Sequence, residues 1–350
     1  MYSNEQRFRN KITITTFWMA IFVVYIHVNN TLTYTYDLTQ PFDYFVYRIE
    51  DWGQAWQQVS VPMFFIISAF LFFRNYRPEM LKKKLISRCN TLLVPYLIWN
   101  IIPWLLLILI QFIPFSSDIS TKAEFSLSSF MNSIVFCDYS VLWYVRNLMI
   151  YMLLTPVIYQ LVKLRKIAIL IIAGIVCGNI ICFNVYGYSN LVIYWAPFYL
   201  FGAWMALNKP QWLQKRASKK VIYISGGVLI FLLVEAFFPQ IVLFNEIGRY
   251  IFRLMIPMPF WYLLDFFDFY RKPIWLETLS FPIYCTHAII LEFIEKIIRV
   301  EGGDNLVIAF ISYFTTPIIV LAILFIGFYL LNKYLSTLYS IAFGNRGSSK

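Results

Sequence analysis

Long apolar runs alternate with short polar segments along the chain, and most runs approach the length of about 20 residues that crosses a bilayer as a helix. Strands of a membrane barrel would instead alternate apolar and polar residues over roughly ten positions. The pattern therefore predicts an all-α fold, a polytopic integral membrane bundle of about ten transmembrane helices. The predicted spans are 12–30, 56–76, 91–113, 141–162, 167–184, 190–208, 221–238, 249–267, 277–298 and 306–331.

The loops between these spans differ in charge. Most of the 29 Lys and Arg residues fall on one side of an alternating path, for example Arg7 and Lys11 before the first span and Lys82, Lys83 and Lys84 after the second. By the positive-inside rule, both termini are predicted to be cytoplasmic. The topology thus accounts for the net charge of +11, and we do not expect nucleic-acid binding.

Composition excludes an ordinary soluble domain, since 60% of the residues are hydrophobic and only 13% are charged. The 5 cysteines have no metal-type spacing, so we expect neither a disulfide framework nor a metal site. We predict one transmembrane domain over residues 1–335 and a short cytoplasmic tail over 336–350.

The chain contains only 2 histidines, His27 and His287, and each lies within a predicted span. Imidazole changes charge near neutral pH and can take up a proton, which is the chemistry of a general base. Ionisable groups inside spans are costly and point to function, whereas the alternative is a structural role in helix packing. By helical rise, His27 lies about 24 Å from the cytoplasmic edge and His287 about 16 Å. We expect the first near the outer leaflet and the second near the midplane.

Two arginines enter predicted spans from the outer side, Arg146 in the fourth span and Arg253 in the eighth. An arginine in lipid needs a partner or water. The alternatives are therefore a functional role, snorkelling to the headgroups, or pairing with Glu235 or Glu292.

Four strings occur in order along the chain: VPMFFIISAFL at 61–71, RCNTLLVPYLIWN at 88–100, LWYVRNL at 142–148 and SFPIYCTH at 280–287. They resemble strings of the acyltransferase 3 family of membrane proteins, namely VPxFFxxSGxL, a basic segment leading into LLIPYLxW, LWFLRxL and SFxIYxxH. The first span, which ends in His27, also matches the family's first-span histidine.

The resemblance implies a multi-pass enzyme of the bacterial cytoplasmic membrane. Such an enzyme moves an acyl group, often acetyl, from cytoplasmic acyl-CoA to a hydroxyl of a cell-surface polysaccharide or lipid-linked sugar. The resemblance makes His27 the catalytic base. From their places in the predicted spans, we expect Arg146 to stabilise the oxyanion or orient the acceptor, and His287 to line the route between the leaflets. We expect no metal, contact with membrane lipid, and envelope-synthesis proteins as partners. The residues expected to contact the substrates are Asn30, Ser68, Arg88, Trp143 and Tyr284.

Two departures from the family pattern concern residues expected to bind the phosphates of CoA. Thr16 stands where the family usually has Arg or Lys, eleven residues before the histidine. Arg88 is present, but Asn90 and Thr91 occupy the places where a second basic residue is expected. Lys82 to Lys84 are possible substitutes, although the positive-inside topology alone also places them there.

A different class of protein remains open from the sequence. In a secondary transporter or exporter of a glycan or small solute, intramembrane His and Arg residues relay protons. Against it, we find no internal repeat and no paired Gly-interrupted helices in matching halves. An inactive scaffold of an envelope-synthesis complex is a third alternative, because Thr16 breaks the family pattern.

Overall fold

The computed structural model describes residues 3–28, 35–112, 123–186, 192–237, 246–267, 269–302 and 305–344. Within these ranges the chain is helical and contains no strand, as the apolar runs predict. Three short 3₁₀ turns cover Pro78–Met80, Leu264–Phe266 and Trp275–Thr278, and a π-helical turn covers Cys89–Leu93. The helices are α1 Asn4–Ile26, α2 Pro41–Gln57, α3 Ser60–Phe73, α4 Leu81–Arg88, α5 Val94–Ile110, α6 Leu127–Val135, α7 Trp143–Leu153, α8 Thr155–Lys163, α9 Lys166–Tyr186, α10 Val192–Asn208, α11 Gln211–Gln214, α12 Lys219–Phe237, α13 Glu246–Met255, α14 Pro257–Leu263, α15 Ser280–Gly302, α16 Leu306–Tyr334 and α17 Ser336–Phe343.

Three helical stretches of the described chain are long and apolar enough to cross a membrane. They are Pro41–Phe73, Pro78–Ile110 and Leu306–Tyr334. The pair Trp143–Leu153 and Thr155–Lys163 qualifies as a fourth only when taken together, because it is bent by 70°. The structure therefore supports a helical membrane protein, while the count of about ten spans and the side of the termini stay predictions.

Prolines break two of the predicted spans. The fourth span is interrupted at Leu154, just before Pro156, and the eighth is interrupted at Ile256, just before Pro257. Proline lacks the backbone N–H and its ring clashes with the carbonyl four residues earlier. Each of these two predicted spans is therefore divided into two helices.

Close helix packing places the ends of α1 and α15 beside each other. Helix α1 packs against both α3 and α15, and α15 also packs against α16. Helices α3 and α10 approach so closely that a Cβ added to Gly202 would lie 2.4 Å from the carbonyl oxygen of Ile66. Only glycine leaves room for this approach.

A buried ionic network fixes the start of α1. Arg7 and Lys11 both contact the carboxylate of Asp265, and the Lys11 Nζ to Asp265 Oδ1 distance is 2.8 Å. The backbone N–H of Ala217 donates to the other carboxylate oxygen at 2.9 Å, and Lys11 also donates to the carbonyl of Trp261 at 2.7 Å. These basic residues belong to α1 itself, which begins at Asn4, ahead of the predicted span.

Candidate active site

The two histidines of the chain lie against each other. His27 ends α1, and His287 lies in the first half of α15. Their ring centroids are 5.2 Å apart with an angle of 47° between the ring planes. His27 is half-buried and His287 is fully buried. The fold therefore joins two residues that are far apart in sequence into one site.

The hydrogen bonds of His287 define which ring nitrogen carries its proton. Its Nδ1 lies 3.0 Å from the carbonyl oxygens of both Ile283 and Tyr284. Carbonyl oxygens only accept, so Nδ1 is the donor and Nε2 keeps its lone pair in the neutral ring. Nε2 is buried and has no hydrogen-bond partner in the described part of the chain. A buried acceptor without a partner is costly, which indicates that a donor is supplied during function.

A cavity of about 380 Å³ lies among α1, α3, α7, α15 and the turn that follows α4. Ser68, Arg88 and Tyr284, which the sequence analysis predicted to contact substrate, all line it. Its other polar lining residues are Thr13, Thr16, Tyr144 and Ser280, and its apolar lining residues are Ile12, Phe64, Ile67, Leu71, Leu92, Val145, Leu148, Met152 and Phe281.

Tyr144 and Tyr284 connect this cavity to the histidines. The Tyr144 hydroxyl donates to the carbonyl of Phe64 at 3.2 Å, which leaves it to accept from Ser68 Oγ at 2.8 Å. The rings of Tyr144 and Tyr284 are 5.7 Å apart, and the rings of Tyr284 and His287 are 6.1 Å apart. The sequence analysis missed Tyr144, although a polar aromatic residue within an apolar span was a signal.

Arg88 is the only charged residue among the described residues that line the cavity. It is half-buried at the end of α4, where the helix widens into the π-helical turn Cys89–Leu93. Pro95 follows this turn, and the wider turn accommodates its ring and its missing N–H. The other basic candidates lie elsewhere, since Lys84 donates to the carbonyl of Phe72, and Lys82 and Lys83 line a separate surface.

Thr16 also lines the cavity, at the position where the family pattern has Arg or Lys. Its hydroxyl donates to the carbonyls of Ile12 and Thr13 in its own helix, at 2.9 Å and 3.1 Å. A threonine hydroxyl is uncharged, so Thr16 supplies no positive charge to the cavity. Arg88 therefore provides the positive charge there.

Arg146 lies outside the lining of this cavity. Its guanidinium donates to the carbonyls of Val135 and Phe136, at 3.0 Å and 3.3 Å, where α6 ends. A cation at the C-terminus of a helix satisfies free carbonyls and interacts favourably with the helix dipole. In this structure Arg146 thus joins α6 to α7, the helix that carries Tyr144.

Trp143, which was also predicted to contact substrate, does not line this cavity. The ring of Trp143 lies 5.3 Å from that of Trp195, with an angle of 30° between the ring planes. Cys285, two residues before His287, lines a separate groove with Trp99 and Pro103. Asn30 lies outside the described residues.

A family model described as an acyltransferase domain matches residues 17–334. The chain therefore belongs to the acyltransferase 3 family, as the four sequence strings predicted, and it is a membrane acyltransferase. The comparison with curated proteins and the comparison with solved structures each found no match.

Proposed function

We propose that this protein is a multi-pass enzyme of the bacterial cytoplasmic membrane that transfers an acyl group, acetyl in the expected case, from cytoplasmic acyl-CoA to a hydroxyl of a cell-surface polysaccharide or lipid-linked sugar. The observation that carries the proposal is the contact between His27 and His287, with ring centroids 5.2 Å apart. Tyr284 lines the cavity that contains Arg88, and its ring lies 6.1 Å from that of His287, although neither histidine is part of the described lining.

In the proposed reaction, His27 takes the proton from the acceptor hydroxyl as its oxygen attacks the thioester carbonyl carbon. The new C–O bond forms, the C–S bond breaks, and the thiolate of CoA receives the proton from His27. A general base at this position is worth about 10² to 10⁴ in rate, because a sugar hydroxyl is a poor nucleophile at neutral pH. The acyl group is therefore transferred with all atoms and charges balanced.

His287 has a specific part in this proposal. Its Nδ1 is held by two backbone carbonyls, so Nε2 is fixed as an acceptor. When His27 becomes protonated, its second N–H donates to this nitrogen. The bond stabilises and orients the imidazolium in the way that a carboxylate does in a catalytic triad. His287 is therefore a positioning residue that acts through His27.

The arginines have different roles in the proposal. Arg88 binds a phosphate of acyl-CoA, since it is the charged group of the cavity lining and a guanidinium matches phosphate geometry. Arg146 holds the end of α6 against α7 and so positions Tyr144, rather than contacting the reacting atoms.

The test is acyl transfer by purified protein in detergent, with radiolabelled acetyl-CoA as donor and de-O-acetylated envelope polysaccharide as acceptor. We expect His27→Ala to lower turnover by about 10²-fold or more. Cys285→Ser is the matched control, because it lies on α15 beside His287 but lines another groove. Retained turnover in His27→Ala would remove this residue from the mechanism.

The same assay separates the proposed enzyme from a transporter. Detergent solution holds no transmembrane gradient, so a proton-coupled transporter would move no label there. Label that reaches the polysaccharide with the wild-type protein alone also excludes the inactive scaffold.

A further inference from the structure

A second polar recess lies at the opposite end of the bundle from the network of Arg7, Lys11 and Asp265. Helix α12 lies between the two: Ala217, just before the helix, donates to Asp265, and Ala236, near the other end of the helix, lines the recess. The recess has a volume of about 80 Å³. We call it the α2–α13 recess, and its lining residues are Asp51, Gln54, Ala55, Gln58, Ala236, Arg249, Phe252 and Arg253.

The recess is built from two facing helix surfaces. On the α2 side, Asp51, Gln54 and Gln58 recur at intervals of three and four residues, and on α13 Arg249 and Arg253 are four apart. Residues at such spacings share one face of a helix. The polar side chains of the two helices therefore face the same space.

The charged groups of the recess are held in place from behind. Arg253 Nε donates to Gln58 Oε1 at 2.8 Å, and its guanidinium lies over the rings of Tyr194 and Trp195 at 5.8 Å and 5.7 Å. Asp51 is paired with Arg48 at 2.7 Å. Arg48 in turn donates to the carbonyl of Ala236 at 2.9 Å. Groups fixed in this way lose little conformational freedom when a ligand binds.

Two chains of contacts connect the recess to the candidate active site. Gln57, next to Gln58, contacts the Tyr313 hydroxyl at 3.5 Å, and the Tyr313 ring lies 6.2 Å from that of Tyr25, two residues before His27. Along the second chain, the ring of Phe65 lies 5.7 Å from Trp195 and 4.6 Å from Tyr144.

The recess and the Arg88 cavity approach the site from different ends of α3. Ser68, which lines the cavity, is ten residues beyond Gln58, or about 15 Å at the helical rise. A donor that enters past Arg88 therefore leaves the other approach open for an acceptor.

We propose that the α2–α13 recess binds a sugar residue of the acceptor glycan. A sugar hydroxyl both donates and accepts hydrogen bonds, and the recess offers carboxylate and amide acceptors together with amide and guanidinium donors. This inference rests on the proposed function, since it assigns the binding place of that reaction's acceptor.

The experiment measures the binding of the acceptor and the binding of the donor separately. The variants are Gln54→Ala and Arg253→Lys, and Gln214→Ala on α11 is the matched control outside the recess. Acyl transfer to de-O-acetylated envelope polysaccharide gives KM for the acceptor, and calorimetry with acetyl-CoA alone gives Kd for the donor. Loss of one or two hydrogen bonds predicts a rise in acceptor KM of about fivefold to tenfold. The donor Kd stays unchanged, which also shows that the variants are folded.

An acceptor KM within twofold of wild type in both recess variants would overturn the assignment of the recess while leaving the proposed function intact. If His27→Ala and the wild-type protein transfer acyl groups equally poorly, the proposed function fails and the recess assignment fails with it. A higher donor Kd in Gln54→Ala would also refute the inference, since the recess would then affect the other substrate.

Discussion

Gly344→Ala is predicted to disturb both stability and donor binding, because of where the C-terminal helix ends. Gly344 follows α17 with a φ of 60°, in the left-handed region that favours glycine. A Cβ added there would lie 2.7 Å from both the Cα and the carbonyl oxygen of Thr91. Thr91 belongs to the π-helical turn that directly follows Arg88. Alanine at 344 therefore pushes on the turn that presents this arginine to the cavity.

The docking of α17 makes this contact hard to relieve. Trp99 Nε1 donates to the carbonyl of Ala342 at 2.9 Å, and the Trp99 ring stacks on Phe343 with centroids 5.3 Å apart. Tyr339 and Phe343 are buried. The described part of the predicted tail is thus a helix that packs on α5 and α16. This packing opposes any shift of α17 that would relieve the contact with Thr91.

The magnitude follows from two contributions. The left-handed conformation costs an L-residue about 1–2 kcal/mol, and the contact with backbone atoms of Thr91 adds to this. If Arg88 binds a phosphate of the donor, a charge-assisted hydrogen bond worth about 1.5–3 kcal/mol is weakened, so Kd for acetyl-CoA rises by roughly tenfold.

Gly327→Ala is the matched control, because Gly327 lies within α16 and a Cβ there meets nothing within 4 Å. Alanine stabilises a helix interior by up to about 1 kcal/mol relative to glycine, so this variant keeps or raises the unfolding temperature. The assay is thermal unfolding in detergent together with acetyl-CoA calorimetry. Equal unfolding temperatures and equal Kd values in the two variants would refute the reasoning. A lower unfolding temperature with an unchanged Kd would refute only the link to Arg88.

The sequence predicted the helical membrane class and the family, because both depend on local features. Long apolar runs require no knowledge of the partner helix, and the four strings are contiguous in the chain. Breaks at Pro156 and Pro257 were also readable in principle, since proline acts on its own helix. The prediction of a single fourth span did not allow for this effect of Pro156.

The contact between His27 and His287 could not be predicted from the sequence. Helical rise gave depths that differ by about 8 Å, but it says nothing about which faces of α1 and α15 meet. In a soluble helix a polar stripe reveals the outer face, whereas helices that are apolar all round lack this signal. For the same reason the sequence does not reveal that the Arg146 guanidinium is bound to carbonyls at the end of α6.

Two further predictions separate binding from stability. Arg88→Gln should raise the acetyl-CoA Kd by about tenfold or more in calorimetry, whereas the exposed Lys83→Gln should leave it unchanged; equal values in the two variants would contradict the role of Arg88. Asp265→Asn removes the carboxylate that contacts both Arg7 and Lys11, whose side chains are only 4% and 1% exposed. Cations this deeply buried have no water to replace the lost partner, so breaking the network should cost about 3–5 kcal/mol of unfolding free energy. Glu277→Gln is its control: Glu277 is only 7% exposed, but its partner Arg271 is 51% exposed and stays hydrated when the pair is lost, so a smaller cost is expected. Thermal unfolding in detergent compares the two variants, and similar losses would mean that the network near the start of α1 is hydrated rather than closed to water.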